Sequence, residues 1–333
     1  MGASLKLFGS DFSETLIETT TNPFMGLFIG ILATSIIQSS SSTTSIVVGM
    51  VAGGALTIET AIPIIMGANI GTSITNILVS LPQITRSNEF KRAFAAAIVH
   101  DFFNFLSVLV FFPLQLATNF LGEIAYWMES LFENVGGMSV LSPIKVITKP
   151  VIAILENQIG DIPWLMFILA LLLLFAALKY MVSSLKLLVV TKAKAWFDKY
   201  LFKTALRAFV VGLILTALIQ SSSITTSLIV PMAGAGLLTL PQIFPYTLGS
   251  NIGTTITAIL AALITGSVPA VVVAFSHLWF NVLGMTLWWP LQKIPITMAV
   301  KFAEYSTKNK IVPVGYVIIM FFIIPLIVIF FSR

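Results

Sequence analysis

Hydrophobic residues run along this chain in long blocks and do not alternate with polar ones. The blocks near 92–115, 163–190, 268–290 and 311–331 can each cross a bilayer as a helix, which takes about 20 apolar residues. Period-two alternation is absent, so the pattern predicts helical spans and not barrel strands. Two further blocks, 60–82 and 242–265, are equally long but hold Gly67-Ala68-Asn69-Ile70-Gly71 and Gly249-Ser250-Asn251-Ile252-Gly253 at their centres. Glycines on both sides of an asparagine weaken a helix, and predict that these two spans break there. Shorter apolar stretches flank two hydroxyl clusters: Phe24 to Ile37 gives 14 residues before the first and Ile46 to Leu56 gives 11 after it. Stretches of about 10–14 residues do not cross, so 23–56 and 205–238 read as re-entrant hairpins. Their polar tips must be buried in protein or line a watery cavity.

The clusters are copies. Gln38-Ser39-Ser40-Ser41-Ser42-Thr43-Thr44-Ser45 returns 182 residues later as Gln220-Ser221-Ser222-Ser223-Ile224-Thr225-Thr226-Ser227, and the glycine–asparagine motif keeps that offset. Between Gln38 and Thr75, 20 of 38 positions are identical without a gap. The chain therefore reads as two repeats. Repeat 1, residues 1–162, holds hairpin 23–56, broken helix 60–82, helix 92–115 and an external loop 116–162. Repeat 2, residues 163–333, holds helix 163–190, hairpin 205–238, broken helix 242–265 and helices 268–290 and 311–331. Three crossings separate the hairpins, an odd number, so the repeats are inverted. Ser4-Leu5-Lys6-Leu7 matches Ser184-Leu185-Lys186-Leu187, the end of a span in repeat 2; the chain is either shortened at its start or does without that helix.

Charge agrees with this layout. Arg86, Lys91, Arg92, Lys192, Lys194, Lys199, Lys203, Arg207, Lys293, Lys301, Lys308 and Lys310 fall on one side, and only Lys145, Lys149 and Arg333 clearly on the other. The first side is then cytoplasmic, with the basic amphipathic stretches 192–207 and 293–306 lying along it. A chain that is 57% hydrophobic and 9% charged, with mean hydropathy +1.01, is an integral membrane protein, since soluble domains carry about 25% charged residues. The net charge of +5 sits in loops beside spans and indicates no nucleic acid. With no cysteine, disulfides and thiolate-bound metals are excluded. No Walker loop and no nucleophile beside a base is present, so the sequence does not read as an enzyme.

The candidate chemistry lies in the copies. Sodium, a hard cation, takes oxygens of hydroxyls, amides and free carbonyls. An oxyanion takes donors such as the first N–H groups of a helix. Small hydroxyl residues can instead serve close helix packing, but two in-register copies favour a site. The oxyanion candidates are Gln38, Ser39, Ser40, Ser41, Gln220, Ser221, Ser222, Ser223, Asn69 and Asn251. The sodium candidates are Gln38, Ser41, Thr43, Asn69, Thr72, Gln220, Ser223, Thr225, Asn251 and Thr254. A second duplication, His100-Asp101-Phe102-Phe103-Asn104 and His277-Leu278-Trp279-Phe280-Asn281, keeps an offset of 177. Its His and Asn share a helix face and read first as an interhelical clamp. Asp101, the one carboxylate well inside a span, has a partner, faces water or binds a cation.

At these residues the sequence resembles the type II sodium–phosphate cotransporters, read here as a bacterial homologue. The resemblance rests on both Gln-Ser-Ser-Ser motifs, on Ala61 to Ser73, on Arg92-Ala93-Phe94-Ala95 running into Val99-His100-Asp101, and on Thr247 to Thr255 followed by Ala258 to Leu263. It implies a multi-pass inner-membrane symporter that imports inorganic phosphate with sodium, both repeats contributing to the site, and without a resident cofactor. Transport of sulfate, phosphate export and a passive anion channel are the alternatives, and a homodimer is left open. Animal members have a large disulfide-bonded loop where this chain has the short 116–162, and further helices outside the matched region. Charge-moving members carry an acidic residue upstream of the first Gln-Ser-Ser-Ser that admits an additional sodium, for which Asp11 is the candidate.

Overall fold

All regular elements among the described residues are helices. The computed structural model describes residues 22–134, 142–173, 176, 202 and 204–332. Helix α1 (Pro23–Ile37) opens with the Asn22 side chain accepting from the Phe24 N–H at 3.0 Å, and proline occupies its first position, where the missing N–H costs nothing. It is followed by α2 (Ser40–Ala52), α3 (Ile58–Gly71), α4 (Ser73–Ser80), α5 (Ser87–Thr118) and α6 (Phe120–Asn134). Next come α7 (Ser142–Ile159) and α8 (Pro163–Leu173). The second half supplies α9 (Ala205–Ile219), α10 (Ser222–Gly234), α11 (Leu240–Thr265), α12 (Val268–Trp288) and α13 (Lys293–Lys308). The last helix, α14 (Ile311–Phe331), contains a π-helical segment at Ile319–Ile323.

Five helical stretches among the described residues are long and apolar enough to cross a membrane: Ile58–Gln83, α5, α11, α12 and α14. They match the blocks 60–82, 92–115, 242–265, 268–290 and 311–331. Of the expected span 163–190, only the part in α8 and Ala176 is described; the rest, like most of 192–207, the Ser4–Leu7 match and Asp11, lies outside the described residues. The expected external loop 116–162 is instead largely helical, formed by the end of α5 with α6 and α7. Leu121 and Ala125 are buried, so α6 is anchored by an apolar face that an overall polarity count hides.

The expected helix breaks do not occur. α11 runs uninterrupted through Gly249 and Gly253. Between α3 and α4 only Thr72 interrupts, with helical φ −59° and ψ −32° and its N–H still bonded to the Ala68 carbonyl at 3.2 Å. The glycines serve contact. A Cβ on Gly67 would lie 1.9 Å from the Leu27 carbonyl oxygen, and one on Gly30 1.9 Å from that of Ile64. The same crossing recurs at +182, where Gly249 faces the Phe209 carbonyl at 2.0 Å and Gly212 that of Tyr246 at 2.1 Å. Backbones this close exclude every residue but glycine, as in small-residue packing between membrane helices.

Gly26 neighbours Thr60 and Pro63, Gly30 neighbours Ile64 and Ala68, and Gly71 neighbours Ile31 and Thr34. Position rises with position, so α1 and α3 run parallel and α2 must return between them as a hairpin; α9, α10 and α11 repeat the arrangement. With 15 and 13 residues, the hairpin arms are about 22 and 20 Å long, short of the roughly 30 Å hydrocarbon layer. Within α13, Pro295, Ala299, Ala303 and Ser306 are buried while Lys301, Glu304 and Tyr305 face out, the amphipathic pattern expected for 293–306. Phe302 packs on Phe94 and Phe102 of α5, with centroids 5.8 and 5.9 Å away.

Candidate transport site

Each hairpin turns at its glutamine. Gln38 has φ 56° and Gln220 φ 54°, left-handed conformations that cost a side-chain-bearing residue roughly 1–2 kcal/mol. Local bonds hold both. The Gln38 N–H donates to the Thr34 carbonyl at 2.7 Å and that of Gln220 to Thr216 at 2.6 Å. Below each turn two threonine hydroxyls join the arms, Thr34 to Thr43 at 3.0 Å and Thr216 to Thr225 at 2.7 Å.

The following serine then caps the returning helix. The Ser39 hydroxyl accepts from the Ser42 N–H at 3.2 Å, and that of Ser221 from the Ile224 N–H at 3.4 Å. The first bonds of the helical ladders are Thr43 N–H to Ser39 and Thr225 N–H to Ser221. The N–H groups of Ser40, Ser41, Ser222 and Ser223 therefore precede both ladder and cap, at the positive ends of α2 and α10. The tips touch: the Ser41 hydroxyl donates to the Gln220 carbonyl at 2.9 Å. Gln38 is exposed and Gln220 half-buried, while Ser40, Ser41, Ser222 and Ser223 are buried behind them.

Behind the tips, amides and imidazoles tie the halves together. His100 Nε2 lies 2.6 Å from Asn251 Oδ1, and Asn251 Nδ2 donates to Asn104 Oδ1 at 2.7 Å. Asn104 Nδ2 donates in turn to the Asn69 carbonyl at 2.8 Å. With His100, Asn104, Asn69 and Asn251 all buried, these bonds are the interhelical clamp expected of the second duplication. Its other half is looser. His277 Nε2 is 3.4 Å from Asn69 Oδ1, Asn281 Nδ2 bonds the His277 carbonyl of its own helix, and Asn281 Oδ1 has no partner.

One residue explains part of this asymmetry. Asn76 bonds His100 Nδ1 at 3.1 Å and accepts from the Thr226 hydroxyl at 2.9 Å. The position 182 residues on is Ala258, which offers no such group, and His277 Nδ1 is left unpartnered. Asp101 is likewise single. Its counterpart is Leu278, it is 1% exposed, and Tyr316 of α14 donates a hydrogen bond to its Oδ2. The buried Ser73 hydroxyl lies beside the same carboxyl but in no hydrogen bond of normal geometry.

The structure thus brings the two hairpin tips together at Ser41 and Gln220, with Asn69 and Asn251 joined to the clamp. Thr43 and Thr225 spend their hydroxyls crossing the hairpin arms. Thr72 and Thr254 donate to the carbonyls of Ala68 and Ser250 at 2.9 and 3.0 Å, which leaves their lone pairs for a cation. Sequence reasoning missed Thr34, Thr216, Asn76, Ser73 and Tyr316. The threonine pairs were visible as Thr34 and Thr216 at the common offset; nothing local marks Tyr316, whose partner lies 215 residues away.

Near the start of α5, Arg92 caps α10 by donating to the Gly234 carbonyl from Nε at 2.9 Å and from an Nη at 2.6 Å. Lys91 pairs with Glu304 of α13 at 2.6 Å, and that hydrogen bond and charge hold the Glu304 carboxyl below its ordinary range.

Comparison with known proteins bears on the same residues. Sodium-dependent phosphate transport protein 2B of Pongo abelii is 36% identical over 96% of this chain and 60% of its own length. The human protein of that name gives the same figures, and sodium-dependent phosphate transport protein 2A of Ovis aries is 33% identical over 96% of this chain and 62% of its own length. The chain thus spans about 60% of the length of the curated relatives it matches. No solved structure matches it. The Na+/Pi-cotransporter family matches residues 1–140 and 172–326, and the internal unmatched stretch, 141–171, spans the boundary of the two repeats. With both hairpins and the clamp inside the matched residues, the chain belongs to the Na+/Pi-cotransporter family.

Proposed function

We propose that this chain is a secondary active symporter that imports inorganic phosphate with sodium across a plasma membrane, its two halves arranged as inverted repeats with re-entrant hairpins. The observation that carries this reading is the meeting of two capped helix starts at the Ser41–Gln220 contact. Phosphate binds there to the free N–H groups and hydroxyls of Ser40, Ser41, Ser222 and Ser223, with Gln38, Ser39, Gln220 and Ser221 at the rim and Asn69 and Asn251 behind. Two positive helix ends stabilise an anion that a single one would hold weakly.

Sodium takes neutral oxygens of the same wall. Asn251 Oδ1 is engaged by His100 at 2.6 Å, whereas Asn69 Oδ1 is held only at 3.4 Å, which makes Asn69 the freer ligand. Thr72, Thr254, Ser41 and Ser223 complete the pool. Coupling follows because each cation lowers the cost of burying the phosphate charge.

Inward movement of divalent phosphate against an inside-negative potential costs about 2.3 kcal/mol per charge per 100 mV. Two sodium ions cancel that charge, and a third lets the voltage assist. With Asp11 outside the described residues, Asp101 is the candidate seat for the third: it is a buried carboxylate with no basic partner, the ion pairs among the described residues being Arg86–Glu89 and Lys91–Glu304. Labelled phosphate uptake into proteoliposomes, with and without an inward sodium gradient, tests the reading. Uphill, sodium-dependent accumulation supports it. Uptake that only equilibrates and ignores sodium identifies a passive channel, and equal competition by sulfate removes phosphate as the specific substrate.

A further inference from the structure

We propose that Tyr316 is a positioning residue for the cation seat at Asp101, and that through it the last helix, α14, takes part in coupling. The inference rests on the reading of Asp101 as a sodium seat given above and adds the group that shapes it. A carboxylate with 1% exposure must be stabilised by something. A lysine or arginine would cancel the charge and close the seat. A phenol behaves differently: it donates one hydrogen bond and leaves the net charge in place. Tyr316 therefore fixes one oxygen of Asp101, Oδ2, and the remaining desolvation cost is relieved when a small cation arrives.

The packing holds the phenol for this task. The Tyr316 ring lies 5.0 Å from that of Phe302 on α13 and 6.2 Å from that of Phe321 on its own helix. Phe302 in turn rests on Phe102, the residue next to Asp101. The buried Ser73 hydroxyl lies beside the same carboxyl, in no hydrogen bond of normal geometry. That hydroxyl is a ready neutral ligand, attached to the helix that follows Thr72. The seat thus combines a fixed donor on α14 with a neutral hydroxyl on α4.

The seat has no copy in repeat 2, where Leu278 stands for Asp101. A duplicated scaffold supplies duplicated ion ligands, so a group present once serves an ion that only one repeat binds. α14 also reaches further. The π segment at Ile319–Ile323 begins within a turn of Tyr316, and beyond it the helix packs along α1, the first arm of hairpin one. π segments interrupt the regular ladder and frequently mark functional positions. One helix therefore links the carboxylate to the hairpin whose tip meets Gln220.

The test is a double-mutant cycle on the full chain in proteoliposomes. Tyr316→Phe keeps the ring and its packing and removes only the donor. Sodium activation of phosphate uptake should need about 10-fold more sodium, the effect of losing one hydrogen bond to a charged group. The phosphate KM and maximal rate at saturating sodium should change less than twofold. In an Asp101→Asn background, Tyr316→Phe should shift sodium activation no further. A drop in maximal rate with unchanged sodium activation would make Tyr316 merely structural and overturn the inference, as would additive shifts in the double variant. If Asp101→Asn alone leaves sodium activation and transported charge untouched, the Asp101 reading itself fails. If Asp101→Asn shifts them and Tyr316→Phe does not, only the role of Tyr316 fails.

Discussion

Replacing Gly249 by alanine separates two explanations of the glycine motifs by the sign of one measurement. If the glycines weaken the helix so that it can unwind, alanine strengthens it by about 1 kcal/mol and the protein melts later. The observed packing predicts the reverse. A Cβ on Gly249 would sit 2.0 Å from the Phe209 carbonyl oxygen, and one on Gly67 1.9 Å from that of Leu27, against a normal carbon–oxygen contact of about 3.3 Å. The helices must part by roughly 1.3 to 1.4 Å, or their ladders must distort, because the obstacle is backbone and cannot rotate away. Overpacking of this kind costs about 1–3 kcal/mol, outweighing the gain in helix propensity. Displacement matters as much as stability, since α9 and α1 carry Gln220 and Gln38 at their ends. A shift of about 1 Å in a positioned group can cost on the order of 100-fold. Uptake per folded Gly249→Ala or Gly67→Ala transporter should therefore fall at least 10-fold. Gly315 is the control: a Cβ there meets nothing within 4 Å, so Gly315→Ala should raise the melting temperature in detergent. A Gly249→Ala protein that melts later and transports normally would refute the close-contact reading.

Asn76→Ala removes the bonds to His100 Nδ1 and from Thr226, which should destabilise the protein by about 1–3 kcal/mol and raise the phosphate KM in uptake assays; an unchanged KM would confine Asn76 to structure. Ser41→Ala should weaken phosphate uptake more than Ser223→Ala, because only the former also breaks the cross-repeat bond to Gln220; equal losses would contradict that asymmetry. The Glu304 carboxyl is held below its usual value of 4.5 by the hydrogen bond and charge of Lys91. Its contribution is thus present at neutral pH and lost as pH falls through the lowered value. Glu304→Gln should erase this acid sensitivity of the melting temperature while leaving neutral-pH uptake intact, since the pair is exposed.

How much of this was legible in the chain depended on distance. The hairpins could be read because arm length and polar tip are local, and because duplication doubled the signal at Gln38 and Gln220. The clamp was foreshadowed by His100 and Asn104 sharing a helix face and by their copies at His277 and Asn281. The glycine motifs were misread because helix propensity is a single-chain property, whereas Gly67 and Gly249 answer to a neighbouring backbone. Thr72 shows the same competition: next to Gly71, it keeps helical dihedrals because the packing against Ile31 and Thr34 rewards the wound form. Tyr316 was invisible for a related reason. A phenol in an apolar helix reads as packing until its carboxylate partner, 215 residues earlier, is placed beside it.

Two departures from symmetry, at Asn76 and at Asp101, bear on the ions. Where the halves match, at the αL glutamines, the threonine pairs and the glycine crossings, the shared residues build a frame in which two helix starts meet. Among the departures, repeat 1 holds the polar member at the clamp and at the carboxylate, Asn76 against Ala258 and Asp101 against Leu278, while repeat 2 holds Tyr246 and Ser250 against Ile64 and Ala68 on the glycine-crossing helix. The conserved geometry suits an anion that must be gripped from both sides, since its charge is spread over several oxygens. The unmatched residues suit a cation, which a few oxygens on one side can hold. On the proposed reading, a frame assembled from two copies binds its anion by what the copies retained, and an extra cation by what one copy alone carries. Introducing the missing pair as Ala258→Asn and Leu278→Asp tests this directly. The first should give His277 Nδ1 a partner and tighten the loose half of the clamp. The second should place a carboxylate at a half-buried position with no Tyr316 to support it. If Leu278→Asp folds and adds transported charge by itself, a positioned donor is unnecessary and the division of labour between the repeats is wrong.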